Sequence, residues 1–409
     1  MRFPNNFFPS PVVPDNLVSS YCALADRLVR VTVEQYEAFS ALPPDQRVDP
    51  TQWKETRKKD NLTLHKERRT RATQPYHIME TLRGDEPVYT KAYVPNMLMT
   101  GSIEGRLDDA CFGTFIDTTE SLRMRERYSE EDVAESQVLQ RFRGPSFDDP
   151  FHFTGITWLI LGNTKIPLVR RRDVLLLHSV GLTKLTNGEP VGYCLYHCVE
   201  LPNVPQLTNL KMIRVTGSYC YIRRQTEIDR IDVYLKGWFT PLGEIPEFLV
   251  ISNVMNSLLA TQNTVKIAYI RKLLHQIQAS RSKEVTRVTE IAACTSCCSG
   301  GCTSNFIKYG GKFGSCILCR MPVCALCVHE QKVIVEINED GVITRKLTCC
   351  LPCLHKIRVM SAYEVAREQI GRKPSHSISS TASTTSDAVE HPTSLMDVAI
   401  LGFDNFLKI

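Results

Sequence analysis

No run of 18 or more apolar residues occurs in this chain, so no segment is expected to cross a membrane as a helix. The opening, MRFPNNFFPSPVVPDN, carries one basic residue, several prolines and no apolar run of signal-peptide length. A cytoplasmic location, at most peripheral on endomembranes, is therefore expected. Reaction motifs are missing as well. The chain has no P-loop, no G-x-S-x-G, no H-E-x-x-H and no GxGxxG, which argues against the usual nucleotide-dependent, serine-hydrolase and zinc-protease chemistries. We read it as a non-enzyme.

A strong charge surplus is lacking too. The formal charge of +5 counts every cysteine as neutral. Eight metal-bound thiolates would subtract eight charges and two dications would restore four, which leaves +1. Global basicity thus gives no argument for a nucleic-acid partner, and none is expected.

Cysteine is what the chain has in quantity, and it is concentrated. Eleven of the 16 cysteines lie between Cys294 and Cys353. Eight of them form four C-x2-C pairs: Cys294/Cys297, Cys316/Cys319, Cys324/Cys327 and Cys350/Cys353. Two thiolates three residues apart can turn inward on one knuckle and supply half of a tetrahedral zinc site. Four pairs make two S4 sites, so two Zn2+ ions are expected. In a reducing compartment paired cysteines are more often metal ligands than disulfides. The first pair could instead slip to Cys298/Cys302, and Cys349 is a further spare; Cys294/Cys297 is kept because its spacing equals the others.

Upstream, residues 16–41 have apolar residues at helical spacing and predict a leading helix that PPDQRVDP ends. Residues 53–72 are basic, with a turn at KDN. They read either as a membrane-surface patch or as the solvated face of a hairpin. From 98 to 143 a strand, a helix (LDDACFGTFI) and another strand follow. Residues 150–240 are β-rich, with turn signals at Thr186–Pro190 and at Gln225–Glu227. Short connections make the sheet mostly antiparallel. After Pro246 a long helix, Val250 to about Gln278, has an apolar face wide enough to need a sheet beneath it. The interior so enclosed is either a filled core or a lipid-sized cavity.

Five segments carry a resemblance: Arg172-Asp173-Val174, VELPNVP (199–205), IRVTGSYCYI (213–222), DRIDVYLKG (229–237) and GEIPEFLVISNV (243–254). In order and spacing, residues 150–278 resemble the second half of a START domain, and residues 50–150 resemble it weakly. The resemblance implies an α+β helix-grip fold: a curved antiparallel sheet, a long C-terminal helix over it, and a tunnel for one lipid or sterol. The sequence names no residue of that cavity.

The cysteine spacing resembles a FYVE-type finger over residues 294–371, with a hairpin at Asp340-Gly341 and a helix after Cys353. That likeness implies cross-brace ligation: Cys294, Cys297, Cys324 and Cys327 on one zinc, and Cys316, Cys319, Cys350 and Cys353 on the other. The family's R-R/K-H-H-C-R string, W-x-x-D and R-V-C motifs are absent. Only Lys308, Lys312 and Arg320 are left to meet a lipid headgroup. A RING finger is the rival cross-brace and would imply a ubiquitin ligase that uses the START-like domain for substrate choice. The all-cysteine string and the four-residue gap between the second and third pairs favour the FYVE side.

The expected organisation is a START-like domain at 15–285, a FYVE-related finger at 290–372 and a Ser/Thr-rich tail at 373–409. The expected function is that of a lipid-binding or lipid-sensing adaptor. Its finger would dock on a membrane surface or a protein.

Overall fold

The computed structural model describes residues 7–9, 11, 13–68, 77–83, 86–92, 95–129, 131–162, 170–240, 257–281, 294, 296, 314–324, 327–338 and 341–372. The chain folds as two compact units, residues 1–267 and 268–409.

The first unit opens with helix α1 (Asp15–Ala41). Leu17, Tyr21, Leu24, Ala25, Val29, Val33 and Tyr36 recur every three or four residues on it and are all buried. Pro43 and Pro44 stop the helix, because a residue before proline avoids the helical region. Strands β1 (Trp53–Lys59) and β2 (Leu62–Glu67) follow, joined at Asp60-Asn61. Asp60 takes a left-handed φ of 50° there, as a two-residue hairpin turn requires. Next come the separate hairpin β3 (His77–Arg83) and β4 (Glu86–Ala92), then β5 (Met97–Glu104), α2 (Leu107–Thr114) and α3 (Thr119–Ser129). The long strands β6 (Val133–Arg143), β7 (Phe153–Leu161), β8 (Arg172–Lys184) and β9 (Pro190–Cys198) lead to the short β10 (Ile213–Arg214). Strands β11 (Thr216–Glu227) and β12 (Arg230–Thr240) complete the set.

Nine strands form one sheet in the order β1-β2-β5-β12-β11-β9-β8-β7-β6, with β10 added beside β8. Every pairing along that path is antiparallel; β10 alone runs parallel to its partner. The α+β reading of an antiparallel sheet with helices at its C-terminal end is therefore what the chain adopts. Helix α1 covers one face, where its apolar stripe meets Ile156, Trp158, Leu175, Leu177, Leu195 and Ile222. Each such buried side chain contributes about 1.5–3 kcal/mol. Strand β1 is an edge, and its Lys54, Lys58 and Lys59 are exposed. Charge on an edge strand discourages pairing with another chain.

Three of the resemblance segments converge on one ion pair. Asp173 on β8 accepts from Arg214 Nε at 2.8 Å and from Trp158 Nε1 at 2.9 Å. Arg214 also donates to the carbonyls of Val204 and Pro205. The RDV, VELPNVP and IRVTG stretches are thus stitched together by buried charge-assisted hydrogen bonds.

The sequence reading missed α3, which is polar in composition and has a weak apolar stripe. It also placed the β11–β12 turn at Gln225–Glu227, whereas β11 runs to Glu227 and turns at Ile228-Asp229. A 3-10 stretch, Ala260–Asn263, interrupts the long helix expected here and precedes α4 (Thr264–Arg281). Residues 241–256, which include the start of the predicted helix, lie outside the described residues. The division between the two units falls within α4.

The second unit contains the small pair β13 (Gly314–Ser315) and β14 (Pro322–Val323). The predicted hairpin, β15 (His329–Asn338) and β16 (Gly341–Cys349), follows. The single helix expected after Cys353 is in fact two, α5 (Leu351–Val359) and α6 (Ala362–Arg372). Ser361 interrupts them by capping α6: its Oγ accepts from the Glu364 N–H at 3.3 Å. The carbonyls at the end of α5 are satisfied by Lys272, a buried side chain whose Nζ reaches Met360 O at 2.8 Å and Arg358 O at 3.4 Å.

Candidate functional site

The face of the sheet opposite α1 is polar at its centre. Strand register sets its rows: His178 on β8 lies opposite Tyr196 on β9, and Tyr196 lies opposite Tyr219 on β11. The His178 and Tyr196 rings stack at 4.4 Å and the Tyr196 and Tyr219 rings at 5.0 Å. Farther along β11, Tyr221 and Arg223 point the same way, opposite Cys194 and Gly192. Leu159, Val174, Leu176 and Cys198 form an apolar cluster beside this polar row.

Two helices close on the face. Arg125 of α3 donates to the Tyr196 hydroxyl at 2.8 Å and has Glu131 at 3.9 Å. Helix α2 comes so near β9 that a Cβ at Gly192 would stand 2.6 Å from the Cys111 sulfur, so only glycine fits there. The segment leading into α4 is tied down by side chains of the sheet and in turn holds α3. The Tyr221 hydroxyl donates to Leu258 O at 3.0 Å, and Arg223 Nη2 donates to Thr261 Oγ1 at 2.7 Å. Asn263 donates to Ser129 O at 2.8 Å.

Burial governs protonation here. It pushes the Tyr196 and Tyr219 hydroxyls and the Cys194 thiol up, so all three keep their protons near neutrality. It pushes His178 well below its ordinary value, and Arg125 adds to that effect. Glu126, buried and accepting from Ser136 Oγ at 2.5 Å, is raised to about 8. His178 Nε2 lies 3.8 Å from Cys194 Sγ, but a thiol held protonated is a poor nucleophile. The arrangement suits binding. Among the described residues several of its buried polar atoms have no hydrogen-bond partner: Arg125 Nε, Arg223 Nε, His178 Nδ1 and Thr157 Oγ1.

Sequence reasoning named none of these residues. The available signal was a histidine inside LLLHSV and an arginine after YCYI, polar side chains in strands that otherwise read as buried.

The predicted metal residues fall as follows. The sulfurs of Cys316, Cys319, Cys350 and Cys353 all lie within 4.8 Å of one another, and so do those of Cys294, Cys324 and Cys327. Both groups could hold a metal ion. Cys297 lies outside the described residues. Cys319 Sγ and Cys350 Sγ are 3.8 Å apart, which is about the edge of a tetrahedron with metal–sulfur bonds of about 2.3 Å. The Arg320 N–H donates to Cys316 O at 2.7 Å, closing the knuckle, and Arg320 adopts a left-handed φ of 60° to do so. The Cys324 N–H points at Cys294 Sγ, 3.4 Å away. Burial alone would push the Cys316 thiol up, but the N–H groups of Cys319, Cys350 and Leu318 outweigh it and hold Cys316 below the ordinary thiol range. Cys319 is pushed up to about 11, by burial first and by its neighbour Cys316. Crowded thiols of this kind ionise together only when a cation compensates them, so the donor set fits a dication. His329 and His355 belong to neither group.

Of the three cations expected at a headgroup, Arg320 is exposed, while Lys308 and Lys312 lie outside the described residues.

No protein-family model matches the chain, and no curated protein sequence matches it. Among solved structures it is similar to human STARD10, at 10% identity over 56% of this chain and 80% of that one, with a TM-score of 0.37. It is similar to human StAR-related lipid transfer protein 5, at 13% identity over 61% and 97%, with a TM-score of 0.40. A STAR-related lipid transfer protein fragment from Xanthomonas axonopodis matches at 14% identity over 53% and 99%, with a TM-score of 0.34.

Proposed function

We propose that this protein is a lipid- or sterol-binding adaptor with a double-zinc module. In this reading a START-like domain (about 15–285) takes one ligand against the face of the sheet opposite α1. A FYVE-related finger (290–372) holds two Zn2+ ions and docks on a membrane surface or a protein. One observation carries the first part: among the described residues, the buried side chains of Arg125, Thr157, His178 and Arg223 have unpartnered polar atoms beside an apolar floor of Leu159, Val174 and Leu176. Buried polar groups are almost always hydrogen-bonded. An amphiphile would supply both the missing partners and the apolar contact.

For the second part, Cys316, Cys319, Cys350 and Cys353 would hold one zinc. Cys294, Cys324 and Cys327, with Cys297 from the sequence pattern, would hold the other. Zinc supplies no reaction here; four thiolates close its coordination, as in structural sites. Cysteine-only groups favour the FYVE-related reading over a RING-like ligase. No helix among the described residues is long and apolar enough to cross a membrane, which agrees with a peripheral, cytoplasmic protein.

Native mass spectrometry of the full chain tests both parts together. The expected spectrum shows two zinc ions and one retained lipid-sized mass per chain. A chain that never carries lipid, and whose melting temperature no lipid shifts, would overturn the first part. A chain with less than two zinc ions when freshly purified would overturn the second.

A further inference from the structure

Arg223 is 2% exposed and carries a permanent charge. Its hydrogen bond goes to the neutral Thr261 hydroxyl, and its Nε has no partner among the described residues. The Tyr221 ring, with its centroid 5.3 Å from the guanidinium carbon, offers a π face but no negative charge. Among the described residues no carboxylate forms an ion pair with it. Arg125, the other buried arginine of this face, differs in having Glu131 at 3.9 Å. Arg214 differs as well, since Asp173 stands 2.7 Å from its guanidinium. Among the described residues Arg223 is therefore a desolvated cation without a counter-ion, an arrangement that proteins avoid because a buried charge left unpaired is strongly unfavourable.

From this we infer that the ligand of the sheet face is an anionic amphiphile whose carboxylate or phosphate pairs with Arg223, and that a neutral sterol or alcohol of the same size binds far more weakly. The inference rests on the lipid-binding reading above and narrows it to one ligand class. The geometry is favourable. A guanidinium presents its N–H groups in a fixed fork that matches two oxygens of a carboxylate or phosphate, and Arg223 has Nε uncommitted. Gly192 lies directly opposite Arg223 on β9, and Cys111 and Leu107 of α2 pack over that glycine, which leaves the far end of the guanidinium, rather than its stem, to meet a ligand. Tyr221 and Tyr219 continue along the same face of β11. Beyond them the apolar cluster of Leu159, Val174 and Leu176 can take the hydrocarbon.

The test uses the purified full chain, stripped of bound lipid, with four probes: oleate, oleoyl lysophosphatidate, oleyl alcohol and cholesterol. Wild type is expected to bind oleate or lysophosphatidate at least tenfold more tightly than oleyl alcohol. The tighter of the two anions then identifies carboxylate or phosphate as the head. Arg223→Met should erase that preference and leave oleyl alcohol binding within twofold of wild type. Arg223→Lys should retain part of it. If oleyl alcohol or cholesterol binds wild type as tightly as either anion, the inference is overturned while the lipid reading stands. If none of the probes binds, both are overturned. The wild-type comparison needs no variant, so it decides the matter even if Arg223→Met fails to fold.

Discussion

Arg214 meets Asp173 at 2.7 Å with the carboxylate fully buried, and through this pair β8, the 199–205 loop and β10 become one piece. A carboxylate sealed from water and holding both Arg214 and Trp158 is kept in place by geometry as much as by energy. Removing one partner strands the other in a dry interior.

Asp173→Leu alone should therefore cost about 3–5 kcal/mol of stability in urea unfolding. The double variant Asp173→Leu with Arg214→Met should recover much of that loss, because two apolar groups of similar volume leave no charge behind. A double variant as unstable as the sum of the two single variants would show that the pair contributes through independent contacts.

Each proposed zinc has its own ligand set, and that makes the two losses separable. Cys353→Ser should remove one zinc per chain from metal analysis, leave the second bound, and leave the first unit's melting transition unchanged. Loss of both ions at once would mean that the two clusters fold as a single site.

Legibility followed the range of each signal. The strand order from β6 to β9, the β1–β2 and β15–β16 hairpins and the cysteine knuckles were readable, because each depends on residues close in the chain, whereas the β3–β4 hairpin was not read. The pairing of knuckles was not; it came from the resemblance, since spacing alone says nothing of which pairs meet. The polar face escaped for the same reason. His178, Tyr196 and Tyr219 belong to three strands and become neighbours only through the register. The break at Met360-Ser361 was readable in principle, as Ser361-Ala362-Tyr363-Glu364 has the S-x-x-E capping pattern. The apolar periodicity running from Val359 to Ile370 hid it.

Lys272 gives that break a separate test. Its ammonium satisfies two carbonyls at the end of α5, so Lys272→Met should leave them unpaired at a cost of about 1–3 kcal/mol. Hydrogen exchange should accelerate in residues 351–372 more than in the β15–β16 hairpin. Equal protection in variant and wild type would show that water replaces the lysine without loss.

The acid on α3 sets a pH dependence with a defined sign. Glu126 titrates at about 8 in the folded chain because burial penalises its carboxylate, against about 4.3 in an unfolded one. Between those values the folded state holds a proton that the unfolded state has released. Stability must then fall as pH rises from about 4.3 to 8, by up to about 1.4 kcal/mol per pH unit. His178 acts in the opposite direction. Its folded value lies well below the ordinary one, so stability falls as pH drops below about 6.5, where only the unfolded chain takes up that proton. Glu126→Gln keeps an oxygen for Ser136 Oγ and has no proton to lose. It should flatten a melting-temperature profile between about pH 6.5 and 8 and, by removing the term that opposes His178, steepen the fall in stability below about pH 6.5. A wild-type profile already flat between pH 6.5 and 8 would mean that Glu126 is ionised at neutral pH, with Arg125 rather than a proton compensating it.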